Sequence, residues 1–185
     1  MNDLFWKLDR LGRVRLSKHF YMRQFLHSEV GEAFGIPNVP DDTDLAIETG
    51  TKLCTEVLEP IVAQFGPIVV RSGFRCAKLN AFASERRLHC APNERNYGYH
   101  IWDHRDANGN AGAAACILVP SIVEQTEDPD AWKRMAKWID SNLTYHRMTF
   151  FKRDFAFNIG WHEEPIPEVH SVVPQWHRID LTSVE

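Results

Sequence analysis

Between Tyr99 and Pro120 the chain reads YHIWDHRDANGNAGAAACILVP. Asn108-Gly109 separates two runs of extended character, and Asn and Gly accept the positive φ that tight hairpin turns need. The stretch therefore predicts a β-hairpin. With Ala107 to Gly109 as its loop, Asp106 pairs with Asn110 and His100 falls opposite Cys116. Side chains alternate along a strand, so His100, Trp102 and His104 share a face with Gly112, Ala114 and Cys116. The partner strand carries little bulk on that face, which leaves room for an ion or a ligand. A register shift of one residue would send His100 to the other side.

Composition narrows the classes. The 185 residues suit a single domain with its own core, and 44% hydrophobic with 25% charged residues is ordinary for a globular chain. A net charge of −4 gives no electrostatic case for nucleic acid or an anionic membrane. Short basic clusters at Arg10 to Arg15 and Arg147 to Arg153 read as solvated faces. Cys54, Cys76, Cys90 and Cys116 form no CxxC pair, which excludes a zinc ribbon or thioredoxin motif. No segment reads as a signal peptide or a membrane span. The expectation is synthesis in the cytoplasm with reduced thiols, so that any action outside the membrane would need something else to deliver the chain.

Leu4 to Leu11 predicts a short amphipathic helix ended by Gly12, part of an N-terminal helical extension over 1–14. Val14 to Phe20 reads as extended, Met22 to His27 as a helical turn and Gly35 to Asp42 as loop. The main helix is expected over Asp44 to Phe65, capped by Asp41, Asp42 and Thr43, kinked at Pro60 and stopped by Gly66-Pro67. Leu45, Leu53, Val57, Ile61 and Val62 supply its buried stripe. PIVVRSGFR begins as a strand and turns at Ser72-Gly73. Ala77 to Glu85 predicts a helix, and Pro129 to Leu143 a second amphipathic one. Met148 to Phe151, Phe155 to Ile159 and Gln175 to Leu181 read as strands, and Pro165 to Pro174 as loop. Helices and strands are segregated, which predicts an α+β fold: an antiparallel sheet packed with two main helices.

The order HFYMRQF, IPN, EVLEPIVAQFGPIVVRSGFRCAKLN, a His leading to a small-residue strand, and a late WHRID resembles the M15 peptidases. These are zinc D-Ala-D-Ala carboxypeptidases and peptidoglycan endopeptidases with a Hedgehog-like fold. The resemblance covers roughly 15–181 and is most specific at VVRSGFR, similar to the family's SGYRS turn. It implies zinc held by His100 first and His177 last. GAAACI falls on the family's Gly-x-Ala-x-Asp-Ile strand, so Cys116 stands where that family has its Asp ligand. Arg75, with Ser72 near it, would contact a peptidoglycan peptide. The chain departs from the pattern by an insertion, HRDANGNAG, and by a thiol in place of a carboxylate. It also has Pro174 where one branch has its base.

Nitrogen and thiolate donors suit zinc. Cys116 is equally a small buried residue of an Ala-rich strand. Asp106, Asp103 and His104 are the alternative middle ligands, and Asp106 is as well explained as a turn residue bonding its own backbone. Arg75 can grip a terminal carboxylate bidentately or join a surface ion pair. WHEEPIPEVH offers His162, Glu163, Glu164, Glu168 and His170 as bases for a zinc-bound water, and Glu168 and His170 lie nearest His177 in sequence. Trp102, Trp161 and Trp176 line a groove or fill the core. Two functions follow: a zinc peptidase acting on peptidoglycan stem peptides, or the same fold kept as an inactive binding module, such as a phage component that contacts the cell wall.

Overall fold

The computed structural model describes residues 3–124, 128, 130–151, 155–172, 175–182 and 184. Pro129, Arg153 and Pro174, named above, lie outside them.

The main helix forms where its apolar spacing and caps demand. Asp42 accepts the Leu45 N–H on its carboxylate at 3.0 Å and starts α4 (Thr43–Lys52). The helix runs on through a π-helical turn, Leu53–Leu58, into α5 (Glu59–Phe65). In that turn the Glu59 N–H bonds the Cys54 carbonyl, five residues back. Pro60 has no N–H and crowds the carbonyl four residues before it, so the irregularity expected there takes the form of this widened turn. Before it come α1 (Asp3–Gly12), α2 (Arg23–Leu26) and α3 (Glu29–Phe34).

The strands are β1 (Val69–Ser72), β2 (Gly112–Leu118), β3 (His146–Phe150), β4 (Phe157–His162), β5 (Val169–Ser171) and β6 (His177–Arg178). They form one sheet in the order β1-β2-β4-β3-β5-β6. α6 (Ala77–Glu85) follows β1, while α7 (Pro120–Val123) and α8 (Ala131–Asn142) lie between β2 and β3. The α+β class is as expected, with one correction: β3 and β5 run parallel, so the sheet is mixed. β5 falls inside the Pro-rich segment read as loop, and the last strand is only two residues long.

One face of the sheet makes the core. Ala113, Ala115 and Ile117 of β2, with Met148, Phe157 and Ile159, are buried with Leu53, Val57, Leu58 and Ile61 of the main helix and Met135, Ala136 and Ile139 of α8. The other face carries Gly112, Ala114 and Cys116, paired with His162, Gly160 and Asn158 of β4.

The hairpin is where the structure departs most from expectation. Its tip forms as read: the Asp106 N–H bonds the Asn110 carbonyl at 2.9 Å, and Gly109 takes φ 85°. Its first arm is not a strand. Residues 98–104 turn back on themselves, with the Gly98 N–H on the His104 carbonyl at 2.8 Å. The arm is tied to β2 at Ala114, whose N–H donates to the Tyr99 carbonyl at 2.8 Å and whose carbonyl accepts from Trp102 Nε1 at 3.0 Å. Trp102 then plunges into the core, against Gly50, Phe25 and Phe74. Burying that ring outweighs a few ladder bonds, so Cys116 pairs with Ser72 and Asn158 and not with His100.

Candidate functional site: a basic cavity on the outer sheet face

Cross-strand pairing assigns faces, with register shifts between Val70 and Ser72 and between His146 and Met148. Ser72, Cys116, Asn158, Thr149, His170 and Arg178 form one row across all six strands on the outer face. Val70, Ile117, Phe157, Phe150, Ser171 and His177 form the next row, one residue out of phase and therefore on the core face.

This pattern separates the expected metal ligands. His177 lies on the opposite face from Cys116, exposed, beside a cavity walled by Trp132, Phe150 and Ser171, with its Nδ1 against the Gln175 carbonyl at 2.8 Å. His170, considered above only as a base, is the late histidine on the outer face. Cys116 and His170 are three strand spacings apart, about 14 Å between backbones, which is too far for one ion with bonds of about 2 Å. The residues expected to hold zinc do not fit it as arranged. Among the described residues, the group of His, Cys, Asp and Glu side chains with donor atoms within 4.8 Å of one another is Asp41, Asp103 and His104. There Asp103 accepts the Asp41 N–H at 2.7 Å and faces His104 Nδ1 at 3.3 Å, joining two loops away from the cavity.

The outer face opens into a cavity of about 700 Å³. Asn158, Thr149, His170 and Arg178 of the row contribute its floor. Arg75 from the turn after β1 and Arg95, Tyr99 and His100 from the stretch leading into the hairpin line it, together with Arg147, Trp176 and Glu168. His100, His170, Arg75 and Glu168 are thus brought together, although Ser72, Cys116 and His177 do not line the cavity. The room expected over the small face of β2 is taken by Tyr99, whose ring reaches to 3.2 Å from where a Cβ on Gly160 would stand.

Electrostatics follow from this crowd of cations. Burial, then the charge of Arg75, pushes His100 down to about 3 against its hydrogen bond to the Gly73 carbonyl at 3.1 Å, so the imidazole is neutral. Burial also lowers His170, and Arg178 and Arg147 add to the effect while Glu168 opposes it. Glu168 stands 4.0 Å from His170 Nε2, and Trp176 stacks on that imidazole with centroids 4.5 Å apart. Burial raises the Cys116 thiol to about 11, which keeps it protonated. An Nη of Arg75 donates to the Cys90 sulfur, while its buried Nε has no hydrogen-bond partner among the described residues.

The remaining candidates have structural work. Asp106 accepts the N–H groups of Asn108 and Asn110 at 2.9 and 2.8 Å, the turn role considered for it, and lies 3.4 Å from His162 Nε2. Glu163 accepts the Ala111 N–H at 2.7 Å and pairs with Arg105, so it ties down the same turn, and Glu164 accepts from Asn110. Trp102 is core, and Trp161 donates to Glu56 at 2.7 Å. Sequence reasoning passed over Arg95, Arg178 and Asn158. Arg147 was visible only in the basic cluster read as a solvated face. No family model, characterised protein or solved structure matches this chain.

Proposed function

We propose that this chain is a binding module of M15-like ancestry that holds a peptide of the peptidoglycan stem type by its terminal carboxylate in the basic cavity. One observation carries the reading. Arg75 lines the cavity beside His100, pairs with no carboxylate among the described residues, and keeps a buried Nε without an acceptor. A guanidinium so placed is completed by a planar, bidentate anion such as a peptide carboxylate. The neutral imidazoles of His100 and His170 and the amide of Asn158 supply uncharged hydrogen-bonding groups around it. The resemblance at VVRSGFR supports a wall peptide as the source of that carboxylate.

A zinc peptidase is the second reading. It is favoured by His100 and His170 opening on one cavity with Glu168 beside His170. Titration of a tripeptide ending in D-Ala-D-Ala, as free acid and as C-terminal amide, before and after chelator, tests both. Binding of the acid alone, unchanged by chelator, is expected. Equal binding of acid and amide overturns the module reading. Binding lost to chelator and regained with zinc, with release of D-Ala, transfers the function to the peptidase.

A further inference from the structure

The cavity holds more positive charge than one carboxylate can use. Arg75, Arg95, Arg147 and Arg178 all line it, and Glu168 is the one carboxylate among the described residues around it. None of the four pairs with an acid among the described residues. A protein of net charge −4 has acids to spare for such pairs, and with none formed here among the described residues the four charges face the cavity, where a ligand can use them.

The cations are also spread out. Arg75 acts on Cys116 and His100, at the β2 end of the outer row, while Arg178 ends the row on β6. Cys116 and Arg178 are four strand spacings apart, about 19 Å between backbones. Arg147 and Arg178 both act on His170, and Arg147 acts with Arg75 on Tyr99 as well, so Arg147 stands between the two ends. One carboxylate cannot reach both ends, whereas an extended peptide, at about 3.3 Å per residue, can run from one to the other.

Building on the carboxylate-binding reading above, we propose that the ligand is an anionic peptide with at least two carboxylates. Its terminal carboxylate lies at Arg75 and a side-chain carboxylate at Arg147 and Arg178. Trp176, exposed and stacked on His170, covers the apolar stem between them.

Three acetylated tripeptides separate this inference from its foundation: Glu-D-Ala-D-Ala, Gln-D-Ala-D-Ala, and the amide of the second. Calorimetric titration is expected to show the Glu peptide binding about tenfold more tightly than the Gln peptide, one charge-assisted pair being worth about that factor. The preference should vanish in Arg147→Gln/Arg178→Gln, which still binds the Gln peptide, and Arg75→Gln should lose both. Equal affinity of the Glu and Gln peptides in the unaltered protein, or a preference that survives the double variant, overturns the two-carboxylate ligand and leaves the module standing. No binding of any of the three overturns both.

Discussion

The backbone N–H of Arg75 donates to the carbonyl of His100 at 2.8 Å, so the turn after β1 and the stretch leading into the hairpin are locked together at the cavity wall. This bond delivers a guanidinium and an imidazole to one place. It also makes the imidazole neutral, through burial first and the Arg75 charge second.

Stability should therefore fall in acid through two histidines. Burial brings His100 and His146 to about 3 from an ordinary 6.5, helped by Arg75 at the first and by His162 and Arg147 at the second. The unfolded chain binds these protons first, so the stability they contribute is full above about pH 6.5 and is lost progressively as pH falls toward 3. Each costs about 1.4 kcal/mol per pH unit in that window. Denaturant unfolding at pH 7 and pH 5 should show the fall, and His146→Asn should flatten it. A pH dependence identical in the variant would refute the assignment.

Gly112 should tolerate no side chain. A Cβ there would stand 2.1 Å from the Gly98 carbonyl oxygen and 2.6 Å from a His162 ring carbon, and backbone cannot move aside cheaply. Gly112→Ala should cost about 3 kcal/mol. Gly109, in open space but at φ 85°, should lose only about 1 kcal/mol on the same change. Thermal unfolding of the two variants measures the difference.

Cys116 should be a sluggish nucleophile. Burial lifts its thiol to about 11 despite the nearby charges of Arg71 and Arg75. At pH 8 its thiolate fraction, and so its alkylation rate, should be roughly two orders of magnitude below that of a free cysteine. Mass-spectrometric timing of iodoacetamide labelling, site by site, checks this; labelling at the free-thiol rate would count against it.

Trp176 should matter to the ligand and not to the fold. It is 65% exposed and touches the cavity through its stack on His170. Trp176→Ala should change the unfolding free energy by less than about 0.5 kcal/mol while weakening the D-Ala-D-Ala peptide severalfold. A large loss of stability with unaltered binding would reverse the assignment.

Local chemistry was enough to read the main helix from its Asp42 cap to its Gly66 stop, the turn at Asp106 to Asn110, and the strand Gly112 to Leu118. It also singled out Arg75, His100 and His170, which do meet at one cavity. Each depends on neighbours in sequence: a cap, a positive φ, an alternation, a turn with a familiar spacing.

What the chain could not disclose by itself was which face each residue joins across strands distant in sequence. Trp102 reads as a continuation of an extended arm, and only the space beside Gly50 draws it into the core and dissolves that arm. His177 and Arg178 are neighbours, yet the pairing of β6 with β5 sends the first to the core side and the second to the cavity. Arg147 and Arg178 look like solvated charges until the sheet sets them around His170. A strand has no preferred face until it is paired, because its two sides differ by a shift of one residue. The elements were therefore decided locally, and the convergence of four arginines on one cavity was decided by tertiary pairing.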